Sequence, residues 1–163
     1  MVSDMREWCG GNEASPPPEY RPTWDYIWMA LAVEIGERST CRTPNRKVGC
    51  VIVSEDNTKV LSNGYNGGAK GDDNSCDYTE DLKIGSSRCT CVHAEMNALT
   101  KLDTSNPVGK RMYLTVSPCK LCYKLIVNAG IQEVIYLWEY DSEIISKMKS
   151  LGVKVRSMKN ETD

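Results

Sequence analysis

Two short clusters of metal-binding side chains most constrain how this chain can fold. One is a His-Ala-Glu run at 93–95, which holds the only histidine, and the other is a Pro-Cys-Lys-Leu-Cys run at 118–122. Catalytic zinc sites take three protein ligands and keep the fourth position for water, and one His with two Cys is an accepted set. The sequence therefore predicts a zinc site of His93, Cys119 and Cys122, for which the fold has to bring both clusters together.

Glu95 is the fourth functional side chain of this pattern. Both clusters are predicted to lie where helices begin, so that backbone N–H groups and the positive end of each helix dipole favour thiolates. Zinc lowers the pKa of its water to around 7, and Glu95 is expected to take that proton and pass it on. H-x-E followed by P-C-x-x-C is the signature of zinc-dependent nucleobase deaminases.

Two other interpretations of the same residues remain open at this point. His93, Cys119 and Cys122 could form half of a structural zinc knuckle, or the two cysteines could be a redox pair. A redox motif, however, explains neither Glu95 nor the histidine. The combined pattern therefore favours hydrolytic zinc chemistry.

The length and composition indicate one globular domain. The 163 residues are 40% hydrophobic and 26% charged, and we expect a poorly structured arm at 1–22 and a single domain at 23–163. No apolar run is long enough to span a membrane, and the first residues do not resemble a signal peptide, so we expect a cytoplasmic protein without a membrane partner. A net charge of −2 and the absence of Phe argue against a nucleic-acid partner and favour a small substrate.

Hydrophobic periodicity predicts an α/β fold with strands and helices in alternation. Thr23 is expected to cap the first helix, Gly130 to close the third, Ser142 to cap the fourth and Gly152 to end it. A Gly-, Asn- and Ser-rich stretch at 63–88 is expected to be a binding loop. The predicted helices are 23–36, 93–102, 119–129 and 142–152, and the predicted strands are 48–53, 59–61, 112–116, 134–137 and 153–155, the first two as a hairpin.

Several motifs in a fixed order resemble the deoxycytidylate (dCMP) deaminase family. They are His-Ala-Glu-Met-Asn-Ala-Leu at 93–99, Ser-Pro-Cys-x-x-Cys at 117–122, Gly-Tyr-Asn-Gly at 64–67, Pro-Asn-Arg-Lys-Val-Gly at 44–49 and Glu-Tyr-Asp at 139–141. The resemblance covers roughly residues 24 to 157. It implies a three-layer α-β-α fold with a mixed five-stranded sheet and helices on both faces. It also implies the hydrolysis of dCMP to dUMP and ammonia, with Glu95 protonating the ring and then the leaving amine.

The same resemblance suggests residues that contact the nucleotide. Arg42, Arg46 and Lys47 lie near the expected phosphate site, although a solvated basic turn is an equally good account of any one of them. The family usually has Asp where Thr43 stands and Pro after the Asn-Gly of the loop, where this chain has Gly68. The candidate substrate-binding residues are Asn66, Tyr140, Thr43, Lys47, Ala94 and Ser117.

Regulation is implied by resemblance as well. In similar enzymes the loop after the second strand helps to bind dCTP as an activator and dTTP as an inhibitor, at a subunit interface of a hexamer. Mg is expected to accompany the effector nucleotide. The candidate effector-binding residues are Asn63, Gly64, Asn66 and Gly67, which could also simply be turn residues.

Six cysteines are left after Cys119 and Cys122. Cys50 is expected in the core and Cys9 as a free thiol in the arm. A phage enzyme of the family has a second, structural zinc with ligands at corresponding places, which implies a site formed by Cys41, Cys76, Cys89 and Cys91. The alternative is that these four are unlinked thiols or that two of them form a disulfide on oxidation.

The predicted chemistry leaves rival functions open. One rival is a deaminase that acts on free cytosine, on a pyrimidine precursor of riboflavin, or on a base in tRNA or single-stranded DNA. The other is a catalytically silent relative that only binds nucleotides. Glu95 argues against the silent relative, because a structural zinc site needs no proton carrier.

Overall fold

The computed structural model describes residues 21–42, 46–72, 91–103, 105 and 109–161. A one-turn 3-10 helix, Met158–Glu161, follows the last strand. In chain order the described helices and strands are α1 (Trp24–Gly36), β1 (Gly49–Ser54), β2 (Val60–Tyr65), α2 (Ala94–Leu99), β3 (Lys110–Val116), α3 (Cys122–Asn128), β4 (Ile131–Trp138), α4 (Ser142–Ser150) and β5 (Lys154–Ser157).

The strands form the mixed five-stranded sheet that was predicted, in the order β2-β1-β3-β4-β5. β1 is antiparallel to both of its neighbours, so β1 and β2 are the expected hairpin. β3, β4 and β5 run parallel to one another, joined by crossovers that contain α3 and α4. The carboxyl ends of β3 and β4 therefore lie at the same edge of the sheet, where ligand sites of open α/β sheets usually form.

Helices cover both faces of the sheet, which confirms the three-layer prediction. On one face α2, α3 and α4 pack on alternate residues of the sheet, among them Cys50, Leu114 and Val134. On the other face α1 packs on the intervening residues, such as Val51 and Tyr113. β1 is buried on both sides because it lies within the sheet between these two layers, which explains its unbroken apolar run.

The first helix lies unusually close to the sheet. Thr23 caps α1 as predicted, since its side chain accepts a hydrogen bond from the backbone N–H of Tyr26 at 3.2 Å. A Cβ at Gly49 would lie only 1.8 Å from the carbonyl oxygen of Ala32. Glycine is therefore required where α1 crosses β1.

The prediction for the start of the fourth helix was wrong by one residue. Asp141, not Ser142, is the N-cap of α4, and its carboxylate accepts hydrogen bonds from the backbone N–H groups of Glu143 and Ile144 at 3.1 and 3.2 Å. Asp and Ser cap helices about equally well, so propensity alone could not separate two adjacent candidates. Gly130 and Gly152, both with positive φ, follow the ends of α3 and α4 as expected.

The second strand is longer than the sequence predicted. β2 includes Asn63, Gly64 and Tyr65, which were assigned to the binding loop because of their turn-forming composition. Pairing with β1 through Gly49 and Tyr65 extends the strand, and the Ser62 hydroxyl donates to the carbonyl of Ala98 in α2 at 2.6 Å. These long-range contacts outweigh local turn propensity.

Three other sequence predictions can be compared with the structure. Within the described residues, no helix combines the length and the apolar composition that a membrane span needs. The two central helices are shorter than predicted: α2 ends at Leu99 and is followed by a turn, and α3 begins only at Cys122, after a turn. Only Arg21 and Pro22 of the predicted arm are among the described residues, and Cys9 lies outside them.

Candidate active site

The three predicted zinc ligands lie together at one end of the helical layer. His93 is the N-cap of α2, Cys119 lies in the turn before α3, and Cys122 is the first residue of α3. The Nδ1 atom of His93 is 3.5 Å from the Sγ atom of Cys119 and 3.4 Å from that of Cys122. All three ligand atoms lie within 4.8 Å of one another.

These distances fit a tetrahedral zinc ion. Bonds of about 2.3 Å to sulfur and about 2.0 Å to nitrogen give nitrogen-to-sulfur separations of about 3.5 Å in a tetrahedron. The measured separations of 3.4 and 3.5 Å match this value. An imidazole and two thiols are also a donor set that zinc prefers, so His93, Cys119 and Cys122 could hold the metal ion.

The sheet brings the two ligand clusters to the same place. α2 and α3 pack side by side on one face, and both begin at the edge where β3 ends. Ser117, the residue after β3, donates its backbone N–H to the carbonyl of Trp138 at 2.8 Å, which fixes the chain just before Cys119. The position of Cys119 and Cys122 thus depends on the parallel pairing of β3 with β4.

Glu95 is a buried carboxylic acid beside the ligands. It lies in the first turn of α2 and is 5% exposed. Its pKa is raised to about 7, mainly by burial and also by the nearby Cys119 sulfur, against the lowering effects of its own backbone N–H, of His93 and of the Cys122 thiol. A carboxyl group with a pKa near neutral pH can both accept and release a proton under physiological conditions.

Hydrogen bonds in the ligand cluster favour the thiolate form of Cys119. The pKa of Cys119 is lowered to about 3, first by the side chain of Cys122 and then by His93 and the backbone N–H groups of Cys122 and Leu121. The pKa of Cys122 is raised, because its thiol is hydrogen-bonded to Cys119 and is buried. The pKa of His93 is raised mainly by its hydrogen bond with Cys119. The start of α3 therefore supplies the N–H donors expected at a thiolate site.

Asn66 acts as a structural clamp between the loop after β2 and the segment before β1. Its side-chain oxygen accepts from the backbone N–H of Val48 at 2.8 Å, and its amide group donates to the carbonyl of Arg46 at 2.7 Å. The residue is buried. Its predicted contacts with substrate and effector stay predictions, and the structure gives it a second role that holds residues 46–48 in place.

Gly67 links this clamp to the histidine cluster. Its backbone N–H and carbonyl pair with Val92, which directly precedes His93, at 3.1 and 2.8 Å.

Two residues that the sequence reasoning missed hold the same loop. The Ser39 hydroxyl donates to the carbonyl of Asn66 at 2.8 Å, and the Thr40 hydroxyl accepts from the Gly68 N–H at 3.3 Å. These two residues are far from the loop in sequence and belong to no motif, so no signal could have revealed them.

Gly64 and Ala94, two further predicted binding residues, lie where β2 packs against α2. A Cβ at Gly64 would lie 2.3 Å from the carbonyl oxygen of Ala94, so β2 and α2 meet here without room for a side chain. Ala94 itself is fully buried, and Asn63 is exposed, with its carbonyl accepting from Lys101 at 3.3 Å. The binding roles of these residues stay predictions.

Ser117 and Tyr140 lie together beside the cysteine cluster. The Ser117 hydroxyl accepts a hydrogen bond from the backbone N–H of Tyr140 at 2.8 Å. Ser117 is buried, while the Tyr140 ring is exposed and carries the guanidinium group of Arg46 at 5.6 Å from its centroid. The structure thus brings together residues from three of the motifs.

Cys50 is a buried thiol that the sequence assigned only to the core. It lies in β1 on the face that α2 covers, and it is fully buried. Burial raises its pKa, and the charge of Glu95 raises it further. Cys50 therefore belongs to the core, as predicted.

The other predicted site residues are Lys47, Thr43 and the four cysteines of the second zinc site. The Nζ atom of Lys47 pairs with Oε2 of Glu37 at 2.5 Å, and both side chains are more than half exposed. Cys41 and Cys91 are described, whereas Thr43, Cys76 and Cys89 lie outside the described residues. The predicted second zinc site is therefore only half within the described part of the chain.

Known proteins resemble both the sequence and the fold. The model of the cytidine and deoxycytidylate deaminase zinc-binding region matches residues 22–138. The deoxycytidylate deaminase of Saccharomyces cerevisiae is 38% identical over 156 residues, which cover 88% of this chain and 47% of the yeast protein. The deoxycytidylate deaminase of Mycobacterium phage D29 is 34% identical over 126 residues, 71% of this chain and 95% of the phage protein. The chain thus spans about half the length of the yeast relative and nearly all of the phage relative.

A solved structure with the same architecture is the dCMP deaminase of the cyanophage S-TIM5 in complex with dCMP and dUMP. It is 31% identical to this chain and superposes on it with a TM-score of 0.70. The match covers 88% of this chain and 100% of the S-TIM5 chain. This similarity confirms the fold that the motifs implied.

Proposed function

Because the chain belongs to the cytidine and deoxycytidylate deaminase family, we propose that it hydrolyses dCMP to dUMP and ammonia. The observation that carries the proposal is the His93, Cys119 and Cys122 cluster, with nitrogen-to-sulfur distances of 3.4 and 3.5 Å, beside the buried acid Glu95. The relatives and the solved structure named for dCMP support this substrate.

The chain's own residues supply the binding and the proton transfer. A zinc ion held by His93, Cys119 and Cys122 would act as a Lewis acid that makes water a nucleophile at neutral pH. The oxygen of water bonds to C4 of cytosine, and the bond from C4 to the amino nitrogen breaks. Glu95 accepts a proton from water and delivers it to the ring nitrogen, then carries the second proton to the amine, which leaves as ammonia.

Ammonia release tests the proposal directly. The purified protein is incubated with dCMP, CMP, deoxycytidine and cytosine, each with and without dCTP. We expect release from dCMP above all others. No release from dCMP under either condition would reject the function, and release from free cytosine alone would favour the rival deaminase.

The rate should depend on pH through Glu95. Its pKa is raised to about 7, mainly by burial, and the proposed step needs the deprotonated form to accept a proton from water. The rate is therefore expected to be constant above pH 7 and to fall about tenfold for each pH unit below it. Measuring kcat/KM from pH 5 to 9 checks this, and a rate that stays constant down to pH 5 would contradict it.

We also propose the second zinc site of Cys41, Cys76, Cys89 and Cys91. Among the described residues, the proposal is supported by Cys41 and Cys91, because each adjoins a residue that contacts the loop at Gly67. Cys41 follows Thr40, which contacts Gly67 and Gly68, and Cys91 precedes Val92, which pairs with Gly67. Four cysteines form an ordinary structural zinc site.

Metal analysis decides this second site. We expect two zinc ions per chain in the wild type and one in Cys91→Ser, with the catalytic ligands untouched. One zinc per wild-type chain, with all four thiols reactive in the folded protein, would refute the site. A disulfide between two of them would be detected by mass spectrometry without reduction.

The remaining features are predictions that accompany the proposed activity. They are activation by dCTP, inhibition by dTTP, Mg bound with the effector, a hexameric assembly, a cytoplasmic location, and substrate contacts by Asn66, Tyr140, Thr43, Lys47, Ala94 and Ser117. The nucleotide in the S-TIM5 enzyme supports a small nucleotide substrate here.

A further inference from the structure

Asn97 is a polar residue of α2 to which neither the zinc chemistry nor the proton transfer gives a role. It lies one helical turn after His93, and its backbone N–H donates to the His93 carbonyl at 3.0 Å. Its side-chain amide donates to the carbonyl of Tyr65, the last residue of β2, at 2.7 Å. Asn97 therefore connects the metal-binding histidine with the end of a strand.

The Tyr65 carbonyl points to the outer edge of the sheet. β2 is the first strand of the sheet, and among the described strands only β1 pairs with it. The peptide group between Tyr65 and Asn66 directs its N–H to the carbonyl of Val48, on the β1 side, at 3.2 Å, so its own carbonyl points the other way. The Asn97 amide thus takes the place that a neighbouring strand would otherwise fill.

α2 and β2 approach closely enough for a short side chain to join them. A Cβ at Gly64 would lie 2.3 Å from the carbonyl oxygen of Ala94 and 2.6 Å from the backbone nitrogen of Ala98. The two backbones are therefore in direct contact at this point. Gly64 sets the distance between helix and strand, and Asn97 fixes the helix along the strand.

The hydrogen bonds of Asn97 close a ring that contains His93. From Tyr65 the chain runs two residues to Gly67, whose N–H and carbonyl pair with Val92 at 3.1 and 2.8 Å. Val92 is followed by His93, whose carbonyl accepts from the Asn97 N–H and completes the ring. The histidine backbone is thus held on both sides, through the residue before it and through Asn97 after it.

α2 needs such contacts to hold its histidine in place. It has only six residues, and helices this short are marginal in water by themselves. His93 is the N-cap but makes no capping hydrogen bond with its side chain, so the helix end does not fix the ring. Both sulfurs of the site belong to the start of α3, and a metal-binding arrangement tolerates displacements of only about 0.5 Å.

We propose that Asn97 is a positioning residue of the metal site. By closing the ring, it holds His93 at the distance from the two cysteine sulfurs that zinc requires. Residues that orient metal ligands typically change metal affinity 10- to 100-fold when they are replaced, although they never touch the ion. The inference rests on the proposed function, because it assigns a residue to the support of that function's metal site.

The zinc affinities of Asn97→Asp and Asn97→Ala test the proposal. Asp keeps the size of the side chain but opposes a carboxylate to the Tyr65 carbonyl, whereas Ala removes the contact. We expect the zinc dissociation constant, measured by competition with a chelating indicator, to rise about tenfold in both variants. Comparison with Cys122→Ala identifies the signal of this site, because that variant lacks one of its ligands.

Cobalt(II) substitution provides a spectroscopic measure of the same site. The visible absorption bands of bound cobalt(II) depend on the geometry of its ligands. We expect these bands to be shifted and weaker in both Asn97 variants at saturating cobalt. A residue that contributed only to the stability of the fold would leave them unchanged.

Ser62→Ala is the matched control. The Ser62 hydroxyl donates to the Ala98 carbonyl at 2.6 Å, so this substitution also removes a side-chain hydrogen bond between β2 and α2. That hydrogen bond lies outside the ring that contains His93. Ser62→Ala and Asn97→Ala should lower the melting temperature by similar amounts, whereas Ser62→Ala should keep the wild-type cobalt spectrum and a zinc affinity within twofold.

Different results overturn different claims. A zinc affinity within threefold of the wild type and an unchanged cobalt spectrum in both Asn97 variants would refute the positioning role. An equal loss of affinity in Ser62→Ala would refute it as well, because any loosening of α2 would then be sufficient. Failure of both Asn97 variants to fold would make Asn97 a determinant of the fold and not of the site. These measurements need no substrate, so they decide the role of Asn97 even if the wild type releases no ammonia from dCMP and the proposed function fails.

Discussion

Replacing Glu95 with Gln is expected to lower kcat for dCMP by about three orders of magnitude while the protein keeps its catalytic zinc. Glutamine preserves the size of the buried side chain but cannot accept a proton from water or deliver it to the cytosine ring. Glu95 itself binds no metal in the proposed site, so the ligands His93, Cys119 and Cys122 remain. Ammonia release and zinc content, measured on the same sample, test the prediction.

The same variant should be more stable than the wild type at high pH. Because burial raises the folded-state pKa of Glu95 to about 7 from 4.5, its protonated form is the one that the folded state favours. Its contribution to stability is fully present below pH 4.5 and is lost as the pH rises through 7. At pH 8, Glu95→Gln should therefore unfold with a free energy higher by up to about 3 kcal/mol, with no such gain at pH 4.

A kcat above one tenth of the wild-type value in Glu95→Gln would contradict the proton-carrier role. A loss of zinc together with activity would show instead that Glu95 supports the metal site. Equal stability of both proteins at pH 4 and pH 8 would contradict the raised pKa.

Replacing Cys122 with Ala is expected to remove one zinc ion per chain and to abolish measurable activity. Cys122 is fully buried and lies 3.4 Å from the His93 nitrogen, so alanine at this position removes one of the three ligand atoms. An ion that binds only the folded state at a hundred times its dissociation constant stabilises that state by about 2.7 kcal/mol. The variant should lose at least this amount, measured by denaturant unfolding in the presence of micromolar zinc.

Cys50→Ala is the matched control for this experiment. Cys50 is also a fully buried cysteine of the same core cluster, and it is not one of the three ligands. We expect it to keep the full zinc content and to lose only the packing of one sulfur atom. Equal zinc loss in both variants would mean that damage to the core, and not ligand removal, releases the metal.

Most of the fold could be predicted because the local signals agree with one another. Alternating apolar runs predicted the sheet, Thr23 the start of α1, and Gly130 and Gly152 the ends of two helices. The prediction for the second strand failed because tertiary contacts outweighed local preference. β2 extends to Tyr65 because it pairs with β1 and packs on α2, although its residues favour turns.

The sequence by itself determined the zinc ligand set and the position of Glu95, because residue type and short spacing at helix starts are local properties. Tertiary structure alone decided what the polar residues around the site do. Asn66 clamps residues 46–48, Lys47 pairs with Glu37, and Arg46 lies on Tyr140. The physical reason is that a polar side chain takes its role from the partner that folding brings within hydrogen-bond distance. These partners lie on different elements of the fold, so spacing along the chain does not identify them.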